Sequence, residues 1–280
     1  MTTTTAPAIR PPASATTPAA RPDPAPFVAE ATFIRRSLLH ALRDPESLLM
    51  GVMLPVMLML LFTFVFGGAF DTGIGTGSDA YVNYIVPGII LLCAGFGAAT
   101  TAVGVNEDMT TGIMDRFRTM PIRGGAVIVG HVVASLVRNL VATGVVIGVA
   151  LLLGFRPSGG VADWIAAIAL IGFYILAITA LFAAIGLAAG SPGAASGYGF
   201  IVLFVPYLSS AFVPVDTMPD WLQPVAEYQP VTPIIEAIRA LLMGGDLGSN
   251  GWWALAWCAG ITLVAMVWGG WLFRRRAGRR

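Results

Sequence analysis

The side chains of this 280-residue chain best placed to recognise another molecule in water gather in one short stretch, from Glu107 to Pro121. Met109, Ile113 and Phe117 recur every four residues and Met120 follows three later. On a helix that spacing sets all four on one stripe, with Asp115, Arg116 and Arg118 mostly off it. Long apolar runs flank the stretch on both sides. Its chemistry is therefore that of a short amphipathic helix, which either docks its apolar stripe into a groove on a soluble partner or lies on the lipid surface. Periodicity leaves both readings open.

Covalent and metal chemistry have thinner material. All sixteen basic residues are arginine. Without lysine the chain cannot build a Walker A phosphate loop or a Schiff base. If ATP powers this protein, another chain hydrolyses it. Cys93 and Cys258 fall within apolar runs and read as small hydrophobes. His40 and His131 have no ligand cluster in the sequence, so no metal site is expected. Ser135, Ser209 and Ser210 sit in apolar runs without an evident base, and intramembrane serines of this kind usually bond backbone carbonyls. No catalytic residue is expected.

The elements that position the 107–121 stretch follow from composition. The chain is 56% hydrophobic and 11% charged, with a mean hydropathy of +0.80. Soluble domains carry about 25% charged residues, so the composition is that of an integral membrane protein. Residues 1–26 are rich in Thr, Ala and Pro and read as a disordered cytoplasmic tail rather than a signal peptide. Residues 27–43 show helical spacing of Phe27, Ile34, Leu38 and Leu42, as expected of an interfacial helix. Asp44-Pro45 then offers an N-cap and a first-turn proline.

Six apolar runs follow, at about 48–66, 85–105, 126–153, 164–189, 198–213 and 253–273. Each is near the ~20 residues that span a hydrocarbon core. The links at 154–163 and 190–197 are short. Between the fifth and sixth runs, Pro214, Pro219, Pro224, Pro230 and Pro233 cut the chain into pieces too short to span. Thr232-Pro233 can start a helix there and Gly244-Gly245 can end it. Its stripe of Ile234, Ile238, Leu241 and Leu242 opposes Glu236 and Arg239, as in a half-buried, re-entrant or interfacial helix, or an ordinary loop helix resting on the bundle.

Charge orients the set. Arg10, Arg21, Arg35, Arg36 and Arg43 precede the first run; Arg116, Arg118 and Arg123 lie between the second and third. Arg274, Arg275, Arg276, Arg279 and Arg280 follow the sixth, and residues 276–280 form a basic cytoplasmic tail. The other side holds Arg156 and Arg239 among many carboxylates. The positive-inside rule then places both termini and the 107–121 stretch in the cytoplasm of a multi-pass cell-membrane protein. Arg138 in the third run is expected near the cytoplasmic boundary, counting back ~20 residues from Leu153, where it snorkels or pairs locally. The sharper alternative is a charge in a substrate path. Phe96 in the second run and Phe200, Phe204 and Tyr207 in the fifth could line an apolar cavity, or face lipid and pack.

Taken in order, these motifs resemble the permease subunit of a type-2 ABC exporter of the daunorubicin/doxorubicin-resistance branch. The resemblance rests on Asp108, Gly112, Asp115-Arg116-Phe117-Arg118 and Pro121, then Gly154-Phe155-Arg156-Pro157, then Phe212-Val213-Pro214. The stretch from Met218-Pro219-Asp220-Trp221 to Gln229-Pro230-Val231-Thr232-Pro233 extends it. It covers residues 27–275, the transmembrane domain. It implies an all-α fold of six transmembrane helices, with the N-terminal interfacial helix, a cytoplasmic coupling helix and external re-entrant or short helices before the sixth span. It further implies coupling to an ATPase through Asp108, Met109, Gly112, Ile113, Asp115, Arg116, Phe117, Arg118 and Pro121. The implied partners are an ABC-type ATP-binding subunit that binds ATP and Mg, a second permease copy and the lipid bilayer. No cofactor is expected in this chain and no nucleic-acid partner. The implied activity is export of hydrophobic amphipathic drugs or antibiotics by alternating access, with lipid, glycolipid or polysaccharide export as the alternative. An ion-coupled secondary transporter fits less well, because no carboxylate lies in the core of a span and no internal repeat is visible.

Overall fold

The computed structural model describes residues 45–66, 78–110 and 125–277. The expected tail at 1–26, the interfacial helix at 27–43 and the coupling residues Gly112, Ile113, Asp115, Arg116, Phe117, Arg118 and Pro121 lie outside them. Helix α1 (Pro45–Leu61) begins at the proline expected to start it and runs into a π-helical turn at Phe62–Phe66. There follow α2 (Ser78–Thr110), α3 (Gly125–Leu152), α4 (Val161–Ala188) and α5 (Pro192–Leu203). A 3-10 turn at Val205–Leu208 leads to the short α6 (Gln223–Tyr228), then α7 (Val231–Met243) and α8 (Asn250–Ala277). No strand occurs among the described residues.

Four of the described helices are long and apolar enough to cross a membrane: Tyr81–Thr110, Ile128–Leu152, Val161–Ala188 and Asn250–Arg275. The shorter apolar helices Gly51–Val65 and Pro192–Leu208 stand where the first and fifth runs were expected. The fifth differs from expectation at both ends. It starts inside the supposed link, because the Ser191 hydroxyl accepts from the Ala194 N–H and Pro192 occupies the first turn. It loses α-helical form at Phe204, two residues before Pro206, whose ring cannot donate and crowds the preceding turn.

Helix α2 is the centre of the bundle, with 72% of its span buried against 17% for α8. The main core joins Ile85, Ile89, Leu92 and Ala98 of α2 to Ile171, Ile175 and Phe182 of α4 and to Ile234, Ile235 and Ile238 of α7. Glycines let these elements touch. A Cβ on Gly88 would stand 2.6–2.9 Å from atoms of Ala211, and one on Gly186 would overlap the Ala102 backbone. Large apolar side chains such as Leu49, Met53, Phe64, Ile165, Leu263 and Met266 remain exposed, as lipid-facing positions are.

The segment before α8 is built into the bundle rather than laid on it. Nine of the thirteen α7 residues are buried, and Gly244 closes the helix at φ 67° as its position predicts. The turn after α3 caps this helix: the Ser158 hydroxyl donates to the Met243 carbonyl at 2.5 Å and Gly159 N–H to Leu242 at 3.0 Å. Phe155 of the same turn is fully buried, and the Arg156 N–H donates to Asn83 Oδ1 on α2 at 2.9 Å.

Arg239, expected opposite the apolar stripe, points inward instead. Its guanidinium donates to the carbonyls of Tyr84 (3.0 Å) and Ser210 (2.8 Å), pairs with Glu236 and lies 3.8 Å over the Tyr84 ring. A planar cation with five donors can satisfy three elements at once, which an amphipathic pattern alone does not reveal.

Candidate functional site

Most of the described residues among those singled out above fall in two regions. The first is the end of the bundle from which the 111–124 segment departs. Asp108 sits in the last turn of α2 and His131 six residues into α3. Asp108 Oδ2 and His131 Nε2 are 2.6 Å apart, with side chains 27% and 30% exposed. A carboxylate only accepts, so Nε2–H is the donor. Two residues earlier, the buried Asn106 donates to the carbonyls of Gly186 (2.9 Å) and Ala189 (2.8 Å) at the end of α4. A helix terminus leaves its last carbonyls without partners, and this amide supplies donors to that end.

Met109, placed by periodicity on a docking stripe, is half-buried against its own bundle. It joins Ile128, Val132, Leu272 and Phe273 around a small core of Val105, Ala183 and Leu187, separate from the main one. The ends of α2, α3, α4 and α8 thus share one apolar knot.

From this end a polar seam runs between α2 and α3. Thr101 donates to Ser135 Oγ at 2.8 Å, and Asn139 Nδ2 to the same oxygen at 3.4 Å. Arg138 donates to the Thr100 hydroxyl (2.5 Å) and the Gly97 carbonyl (3.3 Å). These contacts hold the Arg138 guanidinium against α2. It turns sideways to α2 because a carbonyl and a hydroxyl are offered there. Ser135 likewise bonds side chains rather than backbone, whereas Ser209 donates to the Pro206 carbonyl as expected. The seam was missed because its members were read one at a time. The signal was present: His131, Ser135, Asn139 and Thr143 recur every fourth residue on one face of α3.

The second region is aromatic. Phe200 meets Phe204 edge-on at 5.0 Å, and Phe204 lies 6.0 Å from Tyr207. Tyr207 stacks on Phe212 at 5.4 Å, and Phe212 on Phe62 of the π-helical turn at 4.4 Å. Phe200 and Phe204 are more than half exposed. The three fifth-run aromatics are therefore brought together on an open face and extended by two rings that the sequence reading had left out. Phe96 is half-buried against the main core. No group of three or more potential metal ligands occurs among the described residues.

Residues 30–243 match the family model described as ABC-2 type transporter. Among curated proteins, the chain is 31% identical to the daunorubicin resistance ABC transporter permease protein DrrB1 of Streptomyces coeruleorubidus, over 85% of either chain. It is 28% identical to the probable doxorubicin resistance ABC transporter permease protein DrrC of Mycobacterium tuberculosis, over 86% of this chain and 87% of that one. It is 27% identical to the putative transport permease ycf38 of Pyropia yezoensis, over 74% and 72%.

Proposed function

Because this chain belongs to the ABC-2 type transporter family, we propose that it is the permease of an exporter that moves hydrophobic amphipathic compounds out of the cytoplasm or inner leaflet. Such permeases are transport components rather than catalysts, with ATP hydrolysis in a separate ATPase subunit that binds ATP and Mg. The observation that carries the cargo class is the pair of drug-resistance permeases matched along most of the chain. The exposed rings of Phe200, Phe204 and Tyr207 support it, since they offer a planar drug apolar contact at roughly 25 cal/mol per Å².

In this reading the chain crosses the membrane six times, the first and fifth crossings being made by the short apolar helices. Both termini and the 111–124 segment are cytoplasmic. The permease works as a dimer. ATP binding brings two ATPases together, and Ile113 and Phe117 in the segment receive that movement and pass it to α2 and α3. A partner that bound both conformations equally would shift nothing, so its contact with the segment differs between states.

The test is co-purification of a co-expressed ABC ATPase with the permease. Phe117→Asp should lower ATPase recovery at least about tenfold, since burying a Phe contributes ~1.5–3 kcal/mol and a carboxylate in its place costs more. Wild-type recovery with normal transport would refute docking through Phe117.

A further inference from the structure

Asp108 belongs, by its position, to the set that contacts the ATPase, yet its carboxylate is already engaged within the chain. It accepts from His131 at 2.6 Å. These two residues stand at the two ends of the fourteen-residue segment 111–124, one just before it leaves α2 and the other just after α3 begins. We propose that the Asp108–His131 bond is a clamp that joins the two anchor points of the coupling segment into one base, with His131 a positioning residue for energy coupling. The proposal rests on the exporter reading above.

The surroundings say why such a bond is needed. A displacement applied to a loop moves the helices it joins only if their ends cannot splay. The end of α2 is held to α4 by Asn106, through the Gly186 and Ala189 carbonyls. The separate apolar knot around Val105, Ala183 and Leu187 also joins it to α4 and α8 and, through Ile128 and Val132, to α3, by packing alone on that side. The neighbouring polar contact from α2 to α3 is Thr101 to Ser135, seven residues earlier on α2, about 10 Å of helix from the Asp108–His131 bond. The His131 ring also lies close to α2 at Gly104, 3.8–3.9 Å from where a Cβ there would stand. With the clamp closed, a push on the segment reaches α2, α3, α4 and α8 together. With it open, only the apolar packing of Ile128 and Val132 opposes separation of α2 from α3 at this end.

The experiment compares Asp108→Ala, His131→Ala and the exchange Asp108→His with His131→Asp, each reconstituted with the ATPase. Transport per ATP hydrolysed should fall about tenfold in either single variant, which equals ~1.4 kcal/mol, near the low end for a hydrogen bond to a charged group. In the exchange it should recover to at least half of wild type. Single variants within twofold of wild type would overturn the clamp, and so would losses that the exchange does not recover, since a side chain needed only for packing is not restored by swapping places. Hydrogen exchange on the permease alone separates this from failure of the exporter reading. Amides of 104–110 and 128–133 should exchange faster in the single variants and return to wild-type rates in the swap. Unchanged exchange would overturn the clamp even where transport is impaired. Faster exchange that the swap restores, in a wild-type chain that pairs with no ATPase, would uphold the clamp and sink the exporter reading instead.

Discussion

At the scale of single residues, the polar side chains within the spans act as ties between helices. Asn106 is one of them: a fully buried amide supplies donors to two carbonyls at the end of α4. Replacing it by Ala removes both hydrogen bonds, each worth about 0.5–1.5 kcal/mol. Asn106→Ala should therefore lower the thermal midpoint of the detergent-solubilised protein by several degrees; an unchanged midpoint would show that the amide contributes little. The sequence reading found Asp108 but missed Asn106 and His131 as its neighbours. Intramembrane polar residues acquire meaning only in pairs, and the pairs here join residues 23 to 83 positions apart.

At the scale of elements, hydropathy and proline placement made most of the helices legible, because lipid demands long runs whose backbone bonds close internally. Two features escaped. The start of α5 at Pro192 was read as a link because the stretch is rich in Gly and Ala, though Ser191-Pro192 is a recognisable helix start. The inward turn of Arg239 on α7 escaped because Glu236 and Arg239 form a polar face by pattern, whereas Arg239 bonds Tyr84 and Ser210. Helix contacts also depend on glycines whose role no pattern discloses. Gly88→Ala places a methyl 2.6–2.9 Å from Cβ, Cα and O of Ala211 and must push α2 away from the turn after the 3-10 element. Overpacking of this kind costs ~1–3 kcal/mol. The variant should melt earlier than wild type, whereas Gly144→Ala, where nothing lies within 4 Å, should not. Equal midpoints for the two would contradict the close approach.

At the scale of the whole molecule, the proposed exporter would meet drug on its aromatic side and its ATPase at the end where Asp108 and His131 lie. Its topology is testable without a substrate. In a background lacking Cys93 and Cys258, cysteines at Ser78 and Ser249 should react with an impermeant thiol reagent on intact cells, and one at Thr119 only after the membrane is opened. Labelling of Thr119 from outside would invert the arrangement. The central claim, export of an amphipathic drug driven by ATP in another chain, is tested most directly in inside-out vesicles holding this permease with its ATPase. The measurement is uptake of a fluorescent anthracycline. The account predicts uptake that needs ATP and both chains, and that persists when the proton gradient is collapsed at constant ATP. Uptake abolished by collapsing the gradient, or ATP-driven lipid movement with no drug uptake, would contradict it.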